Sequence, residues 1–336
     1  MAVPNNILQQ VQTYQMSGLA YLQNLCCFVS IANTKFKNFQ DLEANLGDTV
    51  TFDLPPRFNT AASLVATFQS ADQRVENLTV NKAANVSYAF TAQQFIFNVE
   101  DYMEKFGKAA IEELATEVES DIATVCETAP YRFYGDGVTQ INTFGQLANA
   151  LAMFRNYGAA KDKVRVVLSD IAQSNIVNSG LNQFAPSRND EMAMSWEVGR
   201  FNNADFYISN LLPLHTAGSV GNNATTLTVV SVNKNASDEV TSITFSGAGA
   251  SDADAIKQHD RFQFNDGVAG QPDLRYRTFI GHKVSQNPVQ FRATADAAST
   301  PAGQVTVSIY PPLKASSGKT QNINHEIAAG MQVSVL

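Results

Sequence analysis

The stretch that most limits what this chain can fold into is residues 99–127. Val99, Met103, Phe106, Ala110, Leu114, Val118, Ile122 and Val125 recur there every three or four positions, and the acids Glu100, Asp101, Glu104, Glu112, Glu113, Glu117, Glu119 and Asp121 fall mostly elsewhere. That spacing predicts one amphipathic helix, about 43 Å long at 1.5 Å per residue. A helix of that length is a spine for other elements to lie on. It also holds most of the charge imbalance. The whole chain of 336 residues carries −8 at pH 7, and residues 99–127, with 2 basic and 9 acidic side chains, account for −7 of it. The acids either solvate an exposed face or meet Arg57, Arg74 and Lys82 of a neighbouring subunit.

An acidic chain with no basic stripe is poorly suited to nonspecific nucleic-acid binding, which is mostly phosphate neutralisation, or to an anionic membrane surface. Only 16% of residues are charged, against roughly 25% in ordinary soluble proteins. Such a surface resists self-association poorly and suits a chain covered by neighbours. No apolar run approaches the ~18 residues of a membrane span. The start, MAVPNNILQQ, lacks the basic and apolar regions of a signal peptide, so a cytoplasmic site of assembly is expected. The three cysteines, Cys26, Cys27 and Cys126, form neither a disulfide framework nor a metal spacing.

Before the spine, Ile7, Leu8, Val11, Tyr14, Leu19, Leu22 and Leu25 suggest a helix over 5–30. Residues 46–97 read as two long antiparallel strands, from DTVTFDLPPRF and from the alternating 78–97, joined by the stretch 59–76. Such an arm has no continuous apolar face of its own and needs another surface to lie on. Phe52, Leu54, Phe58, Leu64 and Phe68 are its candidate contact residues, with Arg57 and Arg74 as candidate partners for Glu112, Glu113 and Glu117 of a second subunit.

After the spine, Thr143 is a plausible N-cap for a helix over 143–157. KVRVVL (163–168) is a compact strand followed by a helix over 171–180, and 203–214 is strand-like up to Pro213. From about Thr216 the helical period vanishes. TTLTVVSV, EVTSITFSG, DRFQF, RTFIGHKV, VQFRATA and QVTVSIYPPL follow at intervals of ten to sixteen residues, which predicts a small all-β barrel or sandwich of six strands.

Catalytic chemistry is hard to find. His215, His259, His282 and His325 have no metal-binding spacing. GSVGNNA (218–224) and GAGA (247–250) lack the lysine and the strand-to-helix setting of a phosphate loop. Asp252, Asp254 and Asp260 sit near a turn. Without the rest of a calcium-loop pattern they read as a solvated loop, or, with Lys257, as a contact between subunits. Asn-x-Ser/Thr triplets at Asn77, Asn85, Asn223 and Asn235 are chance matches in an Asn-rich chain. No cofactor or metal is expected, and the chain is not expected to be an enzyme.

The order of these segments resembles the major capsid proteins of tailed bacteriophages, and specifically the P-22-type coat proteins. Gly47, Asp48, Thr49, Val50, Pro55 and Phe58 match that family's segment before its extended loop. Val86, Tyr88 or Phe90, and Phe95 approximate its strand leading into the spine helix. In VGRFNNADFYISNLLPLHTAG (198–218), Asp205, Phe206, Ser209, Pro213, His215, Thr216 and Gly218 match, with Ala204 where glycine is usual. INHEIAAGMQVSVL (323–336) resembles its closing segment. The resemblance implies an α+β chain with the Hong Kong 97-type capsid fold: an N-terminal arm (1–45), an extended loop (46–97), a spine helix in a peripheral domain (98–135), an axial domain (136–218) and a barrel-like module with the closing segment (219–336). It further implies a virion shell subunit assembling with itself into hexamers and pentamers around double-stranded DNA, without sequence-specific binding. Scaffolding, portal and cementing proteins are the implied partners. Two points stay open: whether the barrel is inserted or terminal, and two rival readings, a tail, baseplate or receptor-binding protein, and an enzyme built on Asp252, Asp254, His259 and Asp260.

Overall fold

The computed structural model of the chain describes residues 27–32, 49–54, 56, 58, 64, 68, 74–87, 107–137, 139–158, 164–179, 200–223, 225–278 and 282–335. They fall in two compact units. One comprises Met1–Leu54, Arg74–Glu127 and Tyr207–Pro213; the other comprises Pro55–Gln73, Thr128–Phe206 and Leu214–Leu336.

In the first unit, a short helix α1 (Cys27–Ile31) precedes strand β1 (Thr49–Leu54), strand β2 (Arg74–Thr79) and the long helix α2 (Lys108–Thr128). The 21 residues of α2 span about 32 Å; residues 99–106 of the predicted spine and most of the helix expected over 5–30 lie outside the described residues. The buried face of α2 is not centred on the expected stripe. Ala115, Glu119 and Ala123 are its most buried positions, Leu114, Val118 and Ile122 are half-buried, and Val125 is exposed. The rotation of one residue has a polar cause. Glu119, only 4% exposed, accepts hydrogen bonds from Phe28 N (2.7 Å) and Val29 N (3.1 Å) of α1, so a carboxylate sits where the sequence placed only apolar contact. Burial, reinforced by that nearby negative charge, pushes the Cys27 thiol up.

β1 and β2 form a two-stranded antiparallel ribbon in which Thr49 pairs with Thr79 and Leu54 with Arg74. The second strand therefore begins inside the stretch expected to be a connection, and residues 80–87 are not strand. The alternation of 78–97 misplaces it because register is fixed by pairing with 49–54, and cross-strand bonds such as Thr51 Oγ1 to Asn77 Oδ1 (3.1 Å) hold that register.

In the second unit, helix α3 (Phe144–Asn156) starts where expected, its N-cap Thr143 accepting from Gln146 N. Strand β3 (Val164–Leu168) and helix α4 (Asp170–Asn178) follow. Strands β4 (Arg200–Phe201) and β5 (Ala204–Ile208) complete a three-stranded sheet of order β3-β5-β4. The strand expected over 203–214 is thus cut short at Ile208. Leu147, Leu151, Leu168, Ile176, Val177 and Ala204 make a small core between these elements.

A one-turn helix α5 (Ser219–Asn222) leads into the β module. Strands β6 (Thr226–Lys234), β7 (Val240–Ser246), β8 (Arg261–Phe264), β11 (Gln290–Ala293), β12 (Gln304–Leu313) and β13 (Gln332–Val335) close into an antiparallel barrel of order β11-β12-β7-β6-β13-β8, and β9 (Arg275–Arg277) with β10 (Val284–Pro288) forms a separate two-stranded sheet. Six strands is the expected number, but not the expected six. RTFIGHKV is not one strand: the chain reverses within it, with His282 in the left-handed region (φ 48°) and Thr278 N donating to Lys283 O at 3.0 Å. The sixth barrel strand is instead β13, from the segment likened to a closing segment, which pairs with β6 and β8. The barrel alternates inward and outward residues. Phe245, Phe262 and Phe291 stack nearly parallel inside it, with ring centroids 5.0–6.4 Å apart.

Candidate assembly surfaces

The ribbon exposes apolar side chains. Val75 and Leu78, three apart and so on opposite faces of β2, are both more than half exposed. Phe52 and Leu54 are half-buried. Phe58 is 56% exposed, and Leu64 and Phe68 are essentially bare. Arg57 lies outside the described residues, and Arg74 opens β2. A two-stranded ribbon is marginal by itself in water, and among the described residues each of its strands keeps one unpaired edge. The barrel is the opposite case, closed and without edges.

On α2, Glu112, Glu113 and Glu117 are exposed. One of the basic partners expected from a neighbouring subunit is taken within the chain: Lys82 is ion-paired with Asp121.

The segment 251–260 is solvated at Ser251, Ala253, Asp254 and Gln258 but anchored elsewhere. Ala255, Ile256 and Asp260 are completely buried, and Ile256 is bridged to Ala297. Asp260 is the hub. One carboxylate oxygen is 2.7 Å from His215 Nε2, and the other accepts from Gly218 N (3.1 Å) and Lys257 N (2.8 Å). Gly218 must be glycine, since a Cβ would lie 2.5 Å from Ala255 O and 2.8 Å from Ile256 Cα. Asp252 accepts from the Ser219 hydroxyl and from Asp254 N, contacts that hold its carboxyl below the usual range. Asp254 is ion-paired with Lys257, raising the lysine; the pair is exposed and contributes little to stability. Asp252 and Asp260 are therefore used to fasten 215–219 to the barrel. His259 is beside Arg292, whose Nη1 is 2.9 Å from its Nδ1. No group of His, Cys, Asp and Glu among the described residues is arranged to hold a metal ion. None of the helices there is long and apolar enough to cross a membrane.

A fourth feature carried no signal in the sequence. Arg132 lies over three rings, with its guanidinium carbon 5.2 Å from the centroid of Tyr131, 4.1 Å from Tyr157 and 4.7 Å from Tyr276. Gln290, buried on the outside of β11, fixes this segment from below: its Nε2 donates to Phe133 O (3.0 Å) and its Oε1 accepts from Phe133 N and the Tyr157 hydroxyl, both at 3.2 Å. Burial is the main cause that pushes the Tyr157 phenol well up. Arg132, Phe133, Tyr134, Ala150, Met153, Phe154 and Tyr157 line an open pocket of about 140 Å³.

No family model matches the chain, and no curated protein matches it. Among solved structures the chain is similar to one titled "Mycobacterium phage Che8", at 13% identity, over 84% of this chain and 90% of that one, with a TM-score of 0.43. It is also similar to one titled "Capsid structure of the Cyanophage P-SCSP1u", at 13% identity, over 83% and 85% of the two chains, with a TM-score of 0.33. The functional reading is carried by the chain's own residues.

Proposed function

We propose that this chain is a shell-forming structural protein: the major capsid subunit of a tailed double-stranded DNA bacteriophage, of the P-22 coat type, with a Hong Kong 97-type body and an accessory barrel at 219–336. The observation that carries this reading is exposed apolar surface: Val75 and Leu78 on the two faces of the ribbon, and, in the segment between its strands, Phe58, Leu64 and Phe68. The ribbon presents apolar side chains on both faces and, among the described residues, two open edges, which is costly in water and useful only against another surface. The barrel supplies an edge-free core that keeps each copy folded while such surfaces pair. One interface of standard size gives only part of the needed affinity, but repetition around a closed shell makes the assembly persist. The acidic balance suits a wall that encloses DNA without adhering to it. In this reading 98–135 is the spine, 136–218 the axial domain, and scaffolding, portal and cementing proteins are the partners.

The test is the triple substitution Phe58→Ser, Leu64→Ser and Phe68→Ser, assayed by sedimentation velocity and electron microscopy. The expected result is loss of shells with the melting temperature of the unassembled chain unchanged. Shells of normal yield and size from the triple variant would overturn the reading.

A further inference from the structure

The guanidinium of Arg132 makes no hydrogen bond or ion pair among the described residues. Its Nε is buried without a partner. Its three ring contacts satisfy the flat faces of the group and leave its N–H edge unused. An arginine held this way is set up for a planar acceptor that takes two parallel N–H bonds, which a carboxylate does and a carbonyl does not. Arg132 is half-buried, and its buried Nε lacks a partner; a buried charged donor left unpaired is unfavourable, so the site is incomplete as the single chain presents it. The surroundings fit protein rather than a small ion. Tyr134 and Phe154, both exposed, rim the pocket, and Ala150 and Met153 of α3 give it an apolar wall. Arginine among tyrosine and phenylalanine is the composition of the energetic centre of a protein interface.

We propose that the Arg132 pocket is a docking site for a second copy of this chain, and that it receives the Glu113 and Glu117 edge of that copy's helix α2. Charge complementarity selects this occupant. Glu113 and Glu117 are exposed, four residues apart on one helix face where they repel each other, and neither has an ion-pair partner among the described residues. They belong to the segment that carries −7 of the chain's −8. The pocket, at about 140 Å³, has room for the end of one such side chain. The contact rests on the shell reading above, because it joins unlike surfaces of two copies and so propagates around a ring.

The test is a charge swap on the full chain. Arg132→Gln and, separately, Glu113→Arg with Glu117→Arg should each raise the concentration needed for assembly by about tenfold or more; the melting temperature of the unassembled chain should fall by no more than about 8 °C in Arg132→Gln, from the lost ring contacts, and stay within about 2 °C in the α2 variant. Arg132→Glu combined with Glu113→Arg and Glu117→Arg should restore assembly to near the wild-type level. That rescue separates docking from a merely structural role for Arg132, which no change on α2 would repair. Normal assembly of Arg132→Gln, or a swap that fails to rescue, overturns the proposal and leaves the shell reading standing. A wild-type chain that forms no particles overturns both. Binding of phosphate or double-stranded DNA that is lost in Arg132→Gln, with assembly intact, would assign the pocket to a phosphate ligand and also overturn it.

Discussion

Replacing Asp260 tests the claim that the segment 251–260 is anchored. The carboxylate is completely buried and meets three groups: His215 Nε2, Gly218 N and Lys257 N. Asp260→Ala orphans two backbone N–H groups, each worth about 1–3 kcal/mol when left buried and unpaired, and removes the partner of His215. A loss of about 3–5 kcal/mol follows, or roughly 6–20 °C in melting temperature for a unit of this size. Asp260→Asn should be far milder, about 1 kcal/mol. Its oxygen can still accept from both backbone N–H groups, and its amide can donate to the other tautomer of His215. Urea unfolding followed by circular dichroism reads both variants. An Asp260→Ala variant within about 1 kcal/mol of wild type, or an Asp260→Asn variant as unstable as Asp260→Ala, would refute the reasoning.

Two further predictions concern stability. Glu119→Ala, which orphans Phe28 N and Val29 N, should cost about 1–3 kcal/mol and make 27–31 more sensitive to limited proteolysis; unchanged cleavage there would contradict the buried role of this acid. Stability should also fall at both ends of the pH scale. Asp252 is held low by Ser219 and Asp254 N, and Asp273 by Gly267 N and Arg275. Their stabilisation is present above the unfolded value near ~3.9 and lost as pH falls through the folded values. Asp266, pushed up chiefly by burial, partly offsets this. Tyr157 is raised, so its contribution is complete below the unfolded value near ~10 and is lost as pH rises beyond it. Urea midpoints at acid, neutral and alkaline pH check the pattern; Tyr157→Phe should make the alkaline limb shallower, the rest of it belonging to the raised Lys234 and Lys257, and leave the acid limb unchanged.

Elements whose pattern is local were legible in the sequence. Thr143 three residues before Gln146 marks the start of α3, and the alternation in TTLTVVSV or QVTVSIYPPL marks barrel strands, because cap and pleat are set by neighbours a few positions apart. What escaped depends on distant partners. Glu119 reads as one more solvated acid of a helix, and only the backbone of 28–29, ninety residues earlier, makes it a buried acceptor. Asp260 reads as part of an acidic turn until His215 and Gly218 are brought against it. β13 is a four-residue strand that closes the barrel only because β6 and β8 leave a gap between them. Arg132 carries no spacing or motif at all; its environment is made by Tyr157 and Tyr276, from two other parts of the chain.

The central claim, that the function of this chain is assembly, is tested most directly by imaging the purified wild-type protein by electron microscopy across a range of concentration, with light scattering for mass. The account predicts closed shells hundreds of ångströms across, on the scale that many copies of a subunit this size must form. A chain that stays monomeric, or stops at a trimer or a single ring at every concentration, would contradict it.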